Sequence, residues 1–306
     1  MTYSAIAVDP AARQMGVAVQ SHWFAVGAIV PWAEPGVGVL ATQANSDLRA
    51  GRAGLRQLAE SGSARSTLDH LIGTPRAEVS QIAVLAADGQ VASHTGPGCV
   101  SEAGHRTGPG WSVQANMMLR ATVPEAMAAA LTAGEHLPLG QRLLAALVAA
   151  QAEGGDVRGV QSASMLIVST EAVGTGTAGN GPGTAGNGPG TIIDVRIDDS
   201  ADPLAELGRL CQLAEASNEH ERGLELLAED PDRAAQHWAR AAELAPGSEE
   251  HAFWLAIALA ANGDTTRARR MLASLASAHA GWKLMLGRVV AAGLLPAADW
   301  ILEMTA

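Results

Sequence analysis

Thr2 carries the most suggestive chemistry in this chain of 306 residues. With Met1 removed, as normally happens before a small side chain, one residue presents both a hydroxyl and a free α-amine. An α-amine titrates near pH ~7.7–8, so a fair fraction is neutral at physiological pH and can take the hydroxyl proton. The chemistry this permits is acyl transfer from an amide. The plainer reading is a strand-opening residue, because Thr2 begins the apolar run Thr2-Tyr3-Ser4-Ala5-Ile6-Ala7-Val8-Asp9. Asn45 and Asn116 are candidate oxyanion donors, a role worth ~2.7–4 kcal/mol in comparable enzymes; either could instead cap a turn. Ser21 and His22 follow a second apolar run and are candidates for substrate contact, with an exposed loop histidine as the alternative. His105 and Arg106 stand between Gly104 and Gly108 in what reads as a glycine-flanked loop, where a guanidinium could clamp a substrate carboxylate or pair with a local acid such as Glu102. Asp156 and Arg158 read as a structural ion pair. Ser162 and Ser164 enter the next strand, where they could line a pocket. An enzyme that uses Ser21 or Ser4, with the terminus irrelevant, is a further option.

These residues need elements to hold them. Apolar runs at 3–9, 16–20, 25–30, 37–42, 82–87, 91–94, 111–116, 165–169 and 192–197 predict strands. Asp88-Gly89 predicts a hairpin turn. Three- and four-residue spacing of leucines predicts helices over 48–72, broken at Ser61-Gly62-Ser63, and over 124–133 and 139–151. This order implies an α+β arrangement in layers. The repeated Thr-Ala-Gly-Asn-Gly-Pro-Gly within 174–190 predicts a flexible insertion. From about Leu204 the chain reads as helical to its end, with a 34-residue period: Asp230 with Asp264, Ala234 with Ala268, Trp238 with Leu272, Ala242 with Ala276. The domains expected are 1–216 and 217–306.

Several blocks carry a resemblance. They are Gly16-Val17-Ala18-Val19-Gln20-Ser21-His22 within 14–33, Gly36-Val37-Gly38-Val39-Leu40-Ala41-Thr42-Gln43-Ala44, Gly104-His105-Arg106-Thr107-Gly108, Gln114-Ala115-Asn116, and Gly154-Gly155-Asp156-Val157-Arg158-Gly159-Val160-Gln161-Ser162-Ala163. Together they resemble domain-of-unknown-function family 1028, from Thr2 to about Leu213. The resemblance implies the N-terminal-nucleophile (Ntn) hydrolase fold, a four-layer αββα sandwich, with Thr2 as nucleophile and base. Gln20-Ser21-His22 is also faintly similar to the Asp-Ser-Arg stretch beside the nucleophile of proteasome subunits, with Gln20 where an acid would stand. The chain's only lysine is Lys283, so a role given to lysine in such subunits must fall to an arginine, a histidine or the amine. The 34-residue period resembles the tetratricopeptide (TPR) repeat, which implies either a partner-binding groove through 217–306 or a packing and dimerisation appendage.

Composition narrows the partners. A net charge of −11 argues against nucleic acid and anionic membranes. The apolar runs fall short of the ~20 residues of a membrane span, which together with two isolated cysteines, Cys99 and Cys211, gives the expectation of a cytoplasmic protein. His22, His70, His94, His105 and His136 show no metal spacing, and there is no phosphate or dinucleotide loop, so no metal and no cofactor is expected. The reading is an Ntn-type amidohydrolase acting on a small molecule or short peptide, with a homodimer expected by fold analogy. Its rival is a non-catalytic binding or scaffold protein built on the same sandwich.

Overall fold

The computed structural model describes residues 2–45, 47, 49–172, 189–295 and 300–301. Residues 173–188, most of the expected 174–190 insertion, lie outside them. The chain divides into two compact units, 1–211 and 212–306.

In the first unit the elements run β1 (Thr2–Asp9), β2 (Gln14–Ser21), β3 (Pro31–Glu34), β4 (Gly38–Ala44), α1 (Ala50–Ser61), α2 (Ala64–Ile72), β5 (Ser80–Ala86), β6 (Val91–Thr95), β7 (Gly104–Gly108), β8 (Trp111–Asn116), α3 (Val123–Ala133), α4 (Leu139–Ala152), β9 (Ser162–Ser169) and β10 (Thr191–Ile197). Helix α5 (Pro203–Leu226) spans the division. The described strands form two antiparallel sheets, one ordered β10-β9-β2-β1-β8-β7 and the other β3-β4-β5-β6. Because side chains alternate along a strand, each sheet has one face for its partner sheet and one for helices. Ile6, Met15, Val17, Val39, Ala41 and Leu85 meet between the sheets. Leu40, Ile82 and Val84, one residue out of phase, pack with Leu55, Leu58 and Leu68 of α1 and α2. Helices α3 and α4 lie on the larger sheet, α4 against β1 and β2 and α3 against β7 and β8. The break expected at Ser61-Gly62-Ser63 separates α1 from α2: Gly62 takes a left-handed φ of 62°, and Ser63 Oγ caps α2 by accepting from Ser66 N–H at 3.3 Å.

Two expectations are corrected. The apolar run 25–30 is a short 3-10 turn, Val26–Ala28, and the strand starts later, at Pro31. Ala25 is left-handed at φ 52°, and its N–H donates to Asp198 O at 2.9 Å, which pulls the backbone out of any ladder. Strand β3 lies at a sheet edge, where Pro31 is tolerated. Residues 104–108, expected as a glycine-flanked loop, form edge strand β7 paired with β8.

The second unit continues α5 with α6 (Pro231–Leu244), α7 (Glu249–Ala261), α8 (Thr265–Ala278) and α9 (Gly281–Ala291). The 34-residue offset is physical here. Asp230 Oδ1 accepts from Arg233 N–H, and Asp264 Oδ1 accepts from Arg267 N–H, each at 3.1 Å, so equivalent aspartates cap α6 and α8. Ala234 and Ala268 are both fully buried, as are Trp238 and Leu272 one turn on. Trp238 stacks on Trp254 with ring centres 5.9 Å apart. Its Nε1–H donates to His220 Nδ1 at 3.2 Å, and His251 Nδ1 lies 3.2 Å from the same atom. Among the described residues no helix is long and apolar enough to cross a membrane.

Burial lowers the pKa of both His220 and His251, their proximity adds to the effect at His251, and Glu250 opposes it at each. The unfolded chain therefore takes up protons near pH 6.5, and the folded imidazoles do so only at lower pH. Stability contributed by this cluster is complete above that pH and lost as pH falls through it. Urea unfolding followed by tryptophan fluorescence should show a lower midpoint at pH ~5.5 than at pH ~7.5, and His251→Asn should flatten the difference.

Candidate functional site

Strand register builds the site. Ser162 on β9 opposes Ser21 on β2, Ser21 opposes Thr2 on β1, and Thr2 opposes Asn116 on β8. Directly paired residues share a face, so four polar side chains expected from sequence form one row across the larger sheet. The row faces the smaller sheet, where Gln43 on β4, Gln81 on β5 and Thr95 on β6 form a second one.

The two rows are joined by buried hydrogen bonds. Gln43 Nε2 donates to Thr2 O at 3.1 Å and to Gln81 Oε1 at 2.9 Å, while Gln43 Oε1 accepts from Ser4 Oγ at 2.7 Å. Asn116 Nδ2 donates to Gln81 Oε1 at 2.7 Å and to Thr2 O at 3.3 Å. Gln81 Nε2 donates to Ala115 O at 2.8 Å and to Gly104 O at 3.2 Å. The backbone of Thr2 is thus gripped by two side-chain amides from opposite sheets. Its Oγ1 lies 3.1 Å from Ser21 Oγ, and the residue is only 5% exposed.

Thr2 lines a cavity of about 500 Å³ at this end of the two sheets. Trp23, Val26, Ile29 and Val30 form one wall, Gln43 to Asn45 and Asp47 another, and Arg76, Met117 and Arg158 complete it. Two of these residues hold left-handed backbone without being glycine, Ala44 at φ 62° and Met117 at φ 57°. Such strain collects where a site is shaped. A second concavity, about 510 Å³, sits at the other end of β1 around Asp9, Asp88, Glu135 and Arg142. It presents no hydroxyl, thiol or imidazole among its lining residues.

The expected residues have different fates. Asn45 lines the cavity. Asn116 sits beside Thr2, with its amide hydrogens directed at Gln81 and the Thr2 carbonyl. Ser21 touches Thr2. Ser162 supports the cavity wall: its Oγ accepts from Val26 N–H at 3.1 Å and donates to Trp23 O at 2.5 Å. His22 is outside the lining, with Nδ1 3.2 Å from Val160 O and its N–H donating to Asp156 Oδ2 at 3.1 Å. The expected ion pair is formed, Arg158 Nη2 to Asp156 Oδ2 at 3.0 Å. His105 and Arg106 are not brought to the cavity. His105 Nδ1 meets Thr95 Oγ1 at 2.8 Å, and its pKa is lowered by burial and then by Arg106 and His94. Arg106 pairs with Glu125 rather than with Glu102. At the rim, hydrogen bonds from the Arg49 guanidinium hold the Asp47 carboxyl well below the usual carboxylate range. On the helix-facing side, burial and then the Asp156 charge push the Tyr3 hydroxyl well above its ordinary value. No group of three or more His, Cys, Asp or Glu among the described residues could hold a metal ion.

Sequence reasoning missed Gln43 and Gln81. Their signal lay in the two-residue alternation: Gln43 continues the inward phase of Val39 and Ala41, and Gln81 that of Leu85 and Ala83.

A family described as "Family of unknown function (DUF1028)" matches residues 2–207. The chain belongs to DUF1028. The match contains every residue lining the Thr2 cavity and ends before the second unit. The crystal structure of protein SPO2555 from Silicibacter pomeroyi, also described as DUF1028, is similar with a TM-score of 0.60. It is 25% identical, and the likeness covers 70% of this chain and 85% of that one. No curated protein matches the chain. In this DUF1028 chain the site thus rests on a polar layer that two buried glutamines test in opposite directions. Gln81→Leu strands Gln43, Asn116 and Ala115 O and should cost about 2–4 kcal/mol. Gln20 is fully buried on the helix-facing side, and neither of its amide atoms has a hydrogen-bond partner among the described residues. Gln20→Leu should leave stability unchanged or raise it by up to about 1 kcal/mol. Denaturant unfolding of both variants checks the pair.

Proposed function

We propose that the chain is an N-terminal-nucleophile amidohydrolase, with Thr2 as nucleophile and its α-amine as base. The observation that carries this reading is the position of Thr2: first residue of a central strand, hydroxyl 3.1 Å from Ser21 Oγ, inside a cavity walled by strained backbone. The sheet faces and their helices are then read as the αββα sandwich of Ntn hydrolases. The 34-residue offset of capping aspartates and buried residues in the second unit supports a TPR-like reading there.

The reaction requires that the peptide bond before Thr2 be cleaved. Thr2 Oγ1 then adds to the amide carbonyl carbon while the α-amine takes its proton. The tetrahedral adduct collapses, the C–N bond breaks, and the ammonium returns that proton to the leaving nitrogen. Water adds to the resulting ester, giving a proton to the amine, and the ester C–O bond breaks as Thr2 Oγ1 recovers it. The sum is amide plus water to acid plus amine. In this scheme Ser21 orients the hydroxyl, and Asn45, which lines the cavity, is assigned as the side-chain donor to the oxyanion. Asn116 holds the Thr2 carbonyl, and so fixes the nucleophile in place rather than meeting substrate.

Intact mass of the purified protein should be short by one methionine. Against a panel of acyl amides, Thr2→Ala should lose at least about 10³-fold in kcat, Thr2→Ser should keep measurable turnover, and Ser21→Ala should lose about 10- to 100-fold. Hydrolysis by protein that retains Met1 would overturn the assignment.

A further inference from the structure

The charges lining the Thr2 cavity are not equivalent. Asp47 is occupied by Arg49, with Nε to Oδ1 at 3.1 Å and Nη2 to Oδ2 at 2.8 Å. Arg158 is occupied by Asp156. Arg76 differs. Its Nε donates to Asn45 O at 3.0 Å, and among the described residues no carboxylate lies within ion-pair distance of its guanidinium, although Asp47 is near enough to feel its charge. Arg76 is solvent-exposed and lines the cavity, and a guanidinium anchored through one nitrogen leaves donors suited to a planar carboxylate. The same lining includes an apolar group, Val26, Ile29 and Val30 with Trp23, which is 58% exposed.

We infer that the substrate is an N-acylated amino acid, its acyl chain against the Trp23 wall and its free carboxylate on Arg76. This rests on the amidohydrolase reading of the same cavity and narrows it. Charge balance also argues against an unblocked dipeptide. A free ammonium would need an acid, and the one carboxylate among the described lining residues, Asp47, already has Arg49 as its cation. An N-acyl group replaces that ammonium with a neutral amide, which is also the bond Thr2 would attack.

The probes are N-octanoyl-alanine and N-octanoyl-alaninamide, which differ only in the carboxylate. Titrated calorimetrically into full-length Thr2→Ala protein, the acid should bind about 10- to 100-fold more tightly than the carboxamide, the range for a hydrogen bond to a charged group. In the Thr2→Ala/Arg76→Gln double variant that ratio should collapse to about one. With wild-type protein the preference should appear in KM rather than kcat. Equal affinity for acid and carboxamide, no binding of either, or a preference that survives Arg76→Gln would each overturn the inference. The two readings fail separately. Arg76-dependent binding without hydrolysis by wild type sinks the hydrolase assignment and keeps the carboxylate site. Hydrolysis indifferent to the carboxylate does the reverse.

Discussion

A polar layer buried between two sheets survives only if its members satisfy one another, and that constraint governs this molecule. Gln81 is its hub, with Oε1 accepting from Gln43 and Asn116 and Nε2 donating to backbone carbonyls. An isolated amide buried there would be strongly unfavourable. Linked as they are, the amides fix the distance and register between the sheets at the end where β1 begins. The Thr2 carbonyl is one of the acceptors, so the grip that holds the sheets together also holds the first residue of β1. Farther along the strands the same space is filled by Ile6, Met15, Val39 and Leu85, and the layer between the sheets becomes an ordinary apolar core.

Much of this was readable from the chain. The apolar runs of β1, β2, β5 and β8, the Asp88-Gly89 turn and the Ser61-Gly62-Ser63 break all report local preferences that tertiary packing did not override. The misreadings have physical causes. The run 25–30 is apolar enough for a strand, but Asp198 O and Ser162 Oγ, both distant in sequence, take its N–H groups. Periodicity carries no information about partners that far away. The glycines around His105 and Arg106 looked like loop punctuation. In the structure Gly108 is small because the Trp111 ring lies against it, at 2.3 Å from where a Cβ would sit, and the segment is a strand.

The site was legible by residue type and not by assembly. Thr2, Ser21, Asn116 and Ser162 are polar residues at strand ends, and register alone places them in one row. Gln43 and Gln81 are mid-strand residues whose meaning depends on facing a second sheet. Nothing local separates a glutamine that holds the Thr2 backbone from Gln20, which is equally buried and whose amide finds no partner among the described residues.

The left-handed turns at Ala44 and Met117 have one more implication. Each carries a Cβ in a backbone region that disfavours it by roughly 1–2 kcal/mol. That same Cβ confines the local dihedrals far more than glycine would. The stretches of cavity lining that these two residues form are therefore stiff, with little capacity to shift around a bound molecule.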